Sequence, residues 1–145
     1  MSSYVFRKAN STKAEGAINF AAMKATIERV SAITLKVAHM EESVRFYQDV
    51  LGLEVLYGGP NAGFTSLRLP DAEFPVINLQ QDQPTADWGR IIFHVSDVDA
   101  FWAHLKQKGL EPDSPQDASW GERYFHLRDP DGHEISFARP LSSDP

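Results

Sequence analysis

One pattern of predicted elements occurs twice along this chain. Apolar and polar residues alternate over Ile33–Val37, which predicts a strand. An amphipathic helix and then Gly52 follow it. The same order returns at Ile91–Val95 and Gly109, and the offset between the copies is nearly the same at both points. A repeat of this size predicts two similar lobes that bury their faces together.

Each copy is predicted to contain one helix and several strands. The predicted strands span residues 31–38, 53–57, 64–69, 74–80, 91–95, 123–128 and 134–138, and the predicted helices span residues 41–51 and 98–108. In the second copy Leu110 begins a short extended piece, and residues 113–119 are predicted to form a loop. The segment Asp129–Gly132 predicts a tight turn between two strands, because an Asp-Gly pair favours hairpin turns.

The chain is predicted to consist of an N-terminal arm with a helix, one two-module domain and a short tail. These parts are, in order, residues 1–30, 31–140 and 141–145, with modules at about residues 31–81 and 88–140. The polar segment Gln81–Asp87 is the predicted linker between the modules. An amphipathic helix is expected near residues 13–28, because Thr12 and Glu15 have capping-box spacing.

The charge and composition of the chain exclude several classes of function. The chain carries 14 basic and 20 acidic residues, a formal net charge of −6 at pH 7, and no basic cluster that would bind the phosphates of nucleic acid. It contains no cysteine, which excludes disulfides, thiolate metal sites and a cysteine nucleophile. No apolar run approaches the roughly 20 residues of a membrane span, and the first residues do not resemble a signal peptide. We therefore expect a cytoplasmic protein that binds neither nucleic acid nor a membrane.

Two stretches of the sequence together resemble a known superfamily. The first contains Leu35–Val37, Glu42–Tyr47 and Leu51–Leu53, and the second is the closing segment Arg128–Phe137 with its Asp-Pro-Asp-Gly turn. Over about residues 31–140 the chain resembles the vicinal oxygen chelate proteins, which include glyoxalases, bleomycin-resistance proteins and extradiol dioxygenases. The resemblance implies an α+β fold, in which two βαβββ modules form a curled mixed sheet around an open cleft. It also implies a homodimer, with clefts that are often made by both chains.

The same resemblance implies where a divalent metal ion would be held. Enzymes of the superfamily use His, Gln or Glu at one place on each of four strands, and these places correspond here to Ala32, Asn78, Arg90 and Ser136. Alanine has no donor atom, arginine is a permanent cation, and an amide or a neutral hydroxyl is a poor ligand. We therefore expect no metal cofactor, as in the metal-free bleomycin-resistance-like branch.

Alternation along the strands predicts which side chains face the cleft. The predicted helix-facing positions are all apolar, and they are Ile33, Leu35, Ile77, Leu79, Phe93, Ile135 and Phe137. The opposite face is mostly polar, with aromatic residues near the strand ends. The expected ligand-binding residues are Lys36, Asn78, Trp88, Arg90, His94, Trp120, Tyr124, His126, Glu134 and Ser136. Such a surface favours a flat or aromatic ligand, held by stacking and a few hydrogen bonds.

Three functions remain open from the sequence. The first is a protein that sequesters a drug or a metabolite without a metal ion, as an antibiotic-resistance protein would. The second is a metal-dependent glyoxalase-like lyase or isomerase, or a dioxygenase, with Arg90, His94 and Glu134 as catalytic candidates. Its metal ion would then be relocated to His94, His126 and Glu134. The third is a regulatory domain whose N-terminal helix binds a partner. A structural ion pair of Glu134 with Arg90 or Lys36 is the alternative to a catalytic role for that carboxylate.

Overall fold

The computed structural model describes residue 25 and residues 27–141. The chain divides between Val30 and Ser31 into two units, and the helices and strands given below all belong to the second unit. The predicted helix over residues 13–28 lies almost entirely outside the described residues, and those described at its end have no regular secondary structure. The predicted tail after Leu141 also lies outside them. None of the described helices is long and apolar enough to cross a membrane.

The first module contains a strand, a helix and three further strands. The strands are β1 (Ala32–Val37), β2 (Glu54–Tyr57), β3 (Phe64–Arg68) and β4 (Val76–Gln81). Helix α1 (Met40–Arg45) follows β1 and continues as a π-helical segment over Phe46–Val50. The sheet has the order β1-β4-β3-β2, in which β1 is parallel to β4 and the other pairs are antiparallel.

The second module repeats this arrangement. Its elements are β5 (Arg90–His94), α2 (Val98–Gln107), β6 (Gln116–Ala118), β7 (Glu122–Arg128) and β8 (Glu134–Pro140). The sheet has the order β5-β8-β7-β6, and β5 is parallel to β8. Two mixed four-stranded sheets, each with one helical element, confirm the predicted α+β fold of two βαβββ modules.

Local sequence signals set the ends of the helices. Gly52 and Gly109 follow the two helical elements with φ values of +85° and +88°, a left-handed conformation that glycine adopts without strain. Helix α2 begins after Asp97, whose carboxylate accepts a hydrogen bond from the N–H of Ala100 at 3.0 Å. The glycines that marked the repeat in the sequence therefore end the helices, as predicted.

One strand of the second module differs from its prediction. The sequence predicts an extended piece at Leu110 and a loop over residues 113–119, whereas the strand forms at Gln116–Ala118. Pro112 and Pro115 explain the shift, because a proline has no N–H to donate to a neighbouring strand. The predicted loop is therefore wrong at β6, which pairs antiparallel with β7.

The two faces of each sheet differ as the alternation predicts. Five of the seven predicted helix-facing residues are buried, and the other two, Ile33 and Phe93, are half-buried against the same core. In the second module Phe125 stacks on Phe137 with ring centroids 5.0 Å apart, and Phe101 of α2 lies 4.9 Å from Phe137. The helices thus cover one face of each sheet, and the opposite face is available to a ligand.

The turn between β7 and β8 fastens the second module to the first. We call this turn, Asp129–His133, the clasp. Within it the N–H of Gly132 donates to the carbonyl of Asp129 at 2.9 Å, which confirms the predicted tight turn. The Asp131 carboxylate accepts hydrogen bonds from the backbone N–H of Ala38 at 3.0 Å and from the Ser43 hydroxyl at 3.3 Å. The clasp therefore holds the chain where β1 ends and α1 begins.

A buried tyrosine and aspartate form the centre of the clasp. The Tyr47 hydroxyl, which is fully buried, donates to Asp129 Oδ2 at 2.7 Å. The other oxygen of Asp129 accepts from the backbone N–H groups of Asp131 at 2.9 Å and His133 at 2.8 Å. Burial raises the pKa of Asp129 above its ordinary value, although these hydrogen bonds oppose the shift. Burial raises the pKa of Tyr47 as well, and the charge of Asp129 adds to that effect.

Both ring nitrogens of His133, the last residue of the clasp, form hydrogen bonds. One ring nitrogen, Nε2, lies 2.7 Å from the carbonyl oxygen of Lys36, and the other, Nδ1, accepts from the Trp88 indole N–H at 2.8 Å. A carbonyl only accepts and an indole N–H only donates, so His133 is the neutral tautomer with its proton on Nε2. His133, which directly precedes β8, therefore connects β1 with Trp88 in the segment between β4 and β5.

Candidate ligand-binding site

The open face of the second sheet is built from rows of side chains that cross β5, β8 and β7. The strand register gives three rows: Arg90, Glu134 and Arg128; then Ile92, Ser136 and His126; then His94, Ala138 and Tyr124. Successive rows are two residues apart along each strand, or about 7 Å. A hollow of about 280 Å³ opens over them, lined by Arg90, the whole second row, Ala138, Tyr124, Trp120 and Glu122.

Three aromatic rings follow one another along one side of this hollow. We call Trp120, Tyr124 and His126 the aromatic strip. The Trp120 and Tyr124 rings are stacked with centroids 5.8 Å apart and an angle of 24°, and the His126 ring lies 5.1 Å from Tyr124. The indole N–H of Trp120 donates to Glu122 at 3.1 Å, which orients the ring. Because Trp120 is 70% exposed, its outer face is available to a flat ligand.

The floor of the hollow is small and polar beside the aromatic strip. Ser136 and Ala138 of β8 are both buried, and their short side chains leave the space that the surrounding residues enclose. The Ser136 hydroxyl and Nδ1 of His126 form a hydrogen bond of 2.7 Å. This bond fixes the imidazole plane and leaves Nε2 of His126 as the ring nitrogen that a ligand can reach.

Arginines bind Glu134 and His94, two expected ligand-binding residues that do not line the hollow. Arg90 Nε donates to a carboxylate oxygen of Glu134, and Arg128 lies 3.6 Å from the other oxygen of the same carboxylate. The hydrogen bond from Arg90 is the main reason that the pKa of Glu134 falls below its ordinary value. The strand register places His94 on this face, where Arg139 donates to its Nε2 at 3.0 Å, but His94 does not line the hollow. The ion pair between Arg90 and Glu134, one of the two expected from the sequence, is confirmed.

Three of the expected ligand-binding residues lie elsewhere. Lys36 and Asn78 belong to the open face of the first sheet, where Asn78 bonds with the Ser66 hydroxyl at 2.7 Å and with the Thr34 hydroxyl at 3.3 Å. Trp88 and Lys36 line a separate hollow of about 200 Å³ beside β1. Within the described chain, the second module supplies every residue that lines the hollow of about 280 Å³.

The four residues that the resemblance assigns to the metal-holding positions of the superfamily have other chemistry here. Ala32 has no donor atom, and Arg90 is a cation that pairs with a carboxylate of the neighbouring strand. Asn78 bonds with two hydroxyls, and Ser136 bonds with an imidazole. A divalent ion needs several anionic or neutral donors directed at one point, and this donor set does not fit it.

The clasp is the one place in the described residues where three potential metal ligands come together. One ligand atom from each of Asp129, Asp131 and His133 lies within 4.8 Å of the other two, and no such group contains His94. Both ring nitrogens of His133 and both carboxylates already make the hydrogen bonds that join the modules. The relocated metal site that used His94 is therefore not formed in the described residues, and the clasp residues have a structural role.

Three residues of the hollow were not among the predicted ligand-binding residues. Ile92 lies two residues after Arg90 on β5. Ala138 lies two residues after Ser136 on β8, and Glu122 lies two residues before Tyr124 on β7. Alternation along the strands places all three on the open face, so the same signal that selected their neighbours could have found them. Ala138 contributes space, Glu122 contributes negative charge, and Ile92 contributes apolar surface.

Comparison with known proteins agrees with this fold. The profile of the Glyoxalase/Bleomycin resistance protein/Dioxygenase superfamily matches residues 29–137. A metallothiol transferase FosB from Lysinibacillus sphaericus (strain C3-41) is 25% identical over 119 residues, which cover 77% of this chain and 82% of that protein.

Solved structures show the same architecture. A glyoxalase/bleomycin resistance protein/dioxygenase from Nocardioides has a TM-score of 0.68 at 21% identity, over 88% of this chain and 94% of its own. TnmS3, an antibiotic binding protein from Streptomyces sp. CB03234, has a TM-score of 0.66 at 25% identity, over 79% of this chain and 97% of its own. Since the family profile covers both modules, the chain belongs to the glyoxalase/bleomycin resistance protein/dioxygenase superfamily.

Proposed function

We propose that this protein binds a small flat aromatic molecule, a drug or a metabolite, without a metal ion and thereby sequesters it in the cytoplasm. The observation that carries the proposal is the chemistry of the open face, where Arg90 and Ser136 stand at metal-holding places and bond to protein groups. The likeness to TnmS3, which is described as an antibiotic binding protein, supports a ligand of this kind. Protection by such a protein depends only on its abundance and on the dissociation constant.

The aromatic strip supplies the main attraction for the ligand in this proposal. A ring laid on Trp120 or Tyr124 removes apolar surface from water on both partners, and offset stacking adds about 0.5–1.5 kcal/mol to that burial. Polar groups at the edge of the ring can reach His126 Nε2 and the guanidinium of Arg90. The hollow therefore combines one apolar surface with a few polar groups, as small-molecule sites generally do.

We further propose that a second copy of this chain completes the cleft. The hollow of about 280 Å³ lies below the roughly 300–1,000 Å³ of typical small-molecule sites, and it is lined by one module alone. In the described chain β1 and β5 are the end strands of their sheets, so each has one edge without a neighbouring strand. Pairing β1 of one protomer with β5 of its partner would bring two open faces together in a homodimer.

Binding can be tested with a neutral fluorescent probe, phenylnaphthylamine. We expect Ala138→Phe to weaken its binding at least about tenfold, because a phenyl group would fill the floor of the hollow. Ala103→Phe is the matched control, since Ala103 is exposed on α2 and does not line the hollow. Equal affinities for wild type and Ala138→Phe, with both proteins folded by circular dichroism, would contradict the proposed site.

The absence of a metal requirement needs its own measurement. We expect protein purified without chelator to contain far less than one metal ion per chain by elemental analysis, and EDTA to leave probe binding unchanged. Titration with manganese, iron, nickel and zinc completes the experiment. Stoichiometric binding at submicromolar affinity would overturn the proposal and favour the metal-dependent lyase, isomerase or dioxygenase.

The oligomeric state is tested by light scattering on the eluate of a sizing column. We expect twice the chain mass of 16.2 kDa across the micromolar range. A monomer that still binds the probe at one molecule per chain would contradict the shared cleft and leave the proposed ligand binding intact.

A further inference from the structure

The guanidinium of Arg90 has hydrogen-bonding capacity that the described chain does not use. Its Nε donates to Glu134, and within the described residues the two terminal nitrogens make no hydrogen bond. The side chain is 49% exposed and lines the hollow, so these nitrogens can reach a bound molecule. Two adjacent terminal N–H groups match the spacing of two oxygens on a carboxylate or a sulfonate.

The charges around Arg90 leave a positive excess at this end of the hollow. Glu134 is the single carboxylate of the first row, and both Arg90 and Arg128 lie beside it. The lowered pKa of Glu134 keeps it anionic, so the three groups together carry one net positive charge. Arg128 is also engaged, because its Nη1 donates to the carbonyl of Gly132 at 2.8 Å. Arg90, which is bonded to Glu134 through Nε alone, is therefore the cation whose terminal nitrogens are available to a ligand.

The opposite end of the hollow carries the opposite charge. Glu122 lies there and accepts the hydrogen bond of the Trp120 indole. Tyr124 and His126 lie between the two ends on β7, whereas Arg90 lies one row further along, about 7 Å, and two strands across the sheet, roughly 10 Å, on β5. A fused ring system that extends from Tyr124 and His126 across Ser136 of β8 would thus place a substituent on its edge within reach of the long Arg90 side chain.

We propose that Arg90 makes the hollow selective for aromatic molecules that carry an anionic oxygen group, such as a carboxylate or a sulfonate. This inference rests on the proposed ligand-binding function and names the ligand class for it. The aromatic strip holds the rings, and the terminal nitrogens of Arg90 hold the anion. Glu122 orients the ligand, because it repels the anionic group from the other end of the hollow.

Two fluorescent probes that differ by one group test the proposal. Anilinonaphthalene sulfonate and phenylnaphthylamine share the same rings, and only the first carries a sulfonate. We expect wild type to bind the sulfonate about tenfold more tightly, which is the scale of one hydrogen bond to a charged group. Arg90→Gln should remove this preference by weakening the sulfonate alone. Arg123→Gln, which removes the same charge from the other face of β7, is the control and should change neither affinity.

A second variant separates ligand recognition from support of the fold. Glu134→Gln breaks the same ion pair but leaves the Arg90 charge in place, so it should bind the sulfonate as tightly as wild type or more tightly. If Arg90 only stabilised the sheet, Arg90→Gln and Glu134→Gln would weaken both probes alike, and that result would overturn the proposal. Equal binding of the two probes to wild type would overturn it as well, while leaving the proposed function in place. Failure of both probes to bind would contradict the proposed function itself.

Discussion

Replacing Tyr47 by phenylalanine should remove one hydroxyl from the clasp and little else. Tyr47 is fully buried, and its hydroxyl donates to Asp129 at 2.7 Å. A hydrogen bond to a charged group contributes roughly 1.5–3 kcal/mol to stability, so we expect the free energy of unfolding to fall by about 2 kcal/mol. For a domain of this size such a loss corresponds to a decrease in Tm of roughly 6–10 °C.

The loss can be measured by urea unfolding at pH 7, followed by circular dichroism. All samples need the same protein concentration, because the stability of a dimer depends on it. Tyr57→Phe is the matched control, since Tyr57 is 67% exposed on β2 and its variant should stay within about 0.5 kcal/mol of wild type. A loss below about 0.5 kcal/mol for Tyr47→Phe would refute the view that this buried hydroxyl stabilises the joint.

The effect of Tyr47→Phe should also depend on pH. Burial raises the folded-state pKa of Asp129, so this carboxyl's own contribution to stability is fully present below its unfolded pKa and is lost as the pH rises through the folded pKa. The Tyr47 hydroxyl favours the charged carboxylate, and its removal therefore costs most above the folded pKa. We expect the difference between wild type and variant to shrink in acid, as Asp129 is protonated. A difference that stays constant from neutral pH to pH 3 would contradict this assignment.

Three further perturbations have defined outcomes. Trp88→Phe removes the indole that donates to His133 at 2.8 Å, and urea unfolding should show a loss of about 1 kcal/mol. Gly132→Ala would place its Cβ 3.8 Å from the Ala86 side chain, an ordinary contact, but at a φ of +86°. Calorimetry should therefore show a loss of about 1–2 kcal/mol, and an unchanged Tm would refute the strain. Because the folded-state pKa of Glu134 is lowered, its pairing stabilises the fold above the unfolded pKa and ceases to do so as the pH falls through the folded pKa. The stability difference between wild type and Arg90→Gln should therefore disappear in acid, and urea midpoints that stay apart there would contradict this reasoning.

Much of the fold could be predicted because its signals are local. The alternation in Ile33–Val37 and Ile91–Val95 identifies both strands and the face that each one buries, and Gly52 and Gly109 mark the ends of the helices. Strand β6 escaped prediction because three residues with two polar side chains show no apolar alternation. Its existence depends on pairing with β7, which is a tertiary effect.

For the site, the sequence predicts only on which face of its own sheet each residue lies. Alternation placed Arg90 and Ser136 correctly on the open face of the second sheet, and it placed Lys36 and Asn78 on the open face of the first. It carries no information about how the two sheets lie relative to each other, so it combined both sets into one site. The clasp was not foreseen either, since His133 and Lys36 are far apart in the sequence and meet only in the folded chain.

In this chain the residues that join the modules differ from those that face a ligand, whereas proteins often use the same residues for both. The side chains that join the modules lie in the turn Asp129–His133 and on its partners, whereas Ile92, Tyr124 and Ala138 of the open face take no part in that joint. Substitutions on the open face can therefore change what the protein recognises without loosening its architecture. The ligand could therefore change during evolution while the Asp-Pro-Asp-Gly motif at Asp129–Gly132 stayed the same.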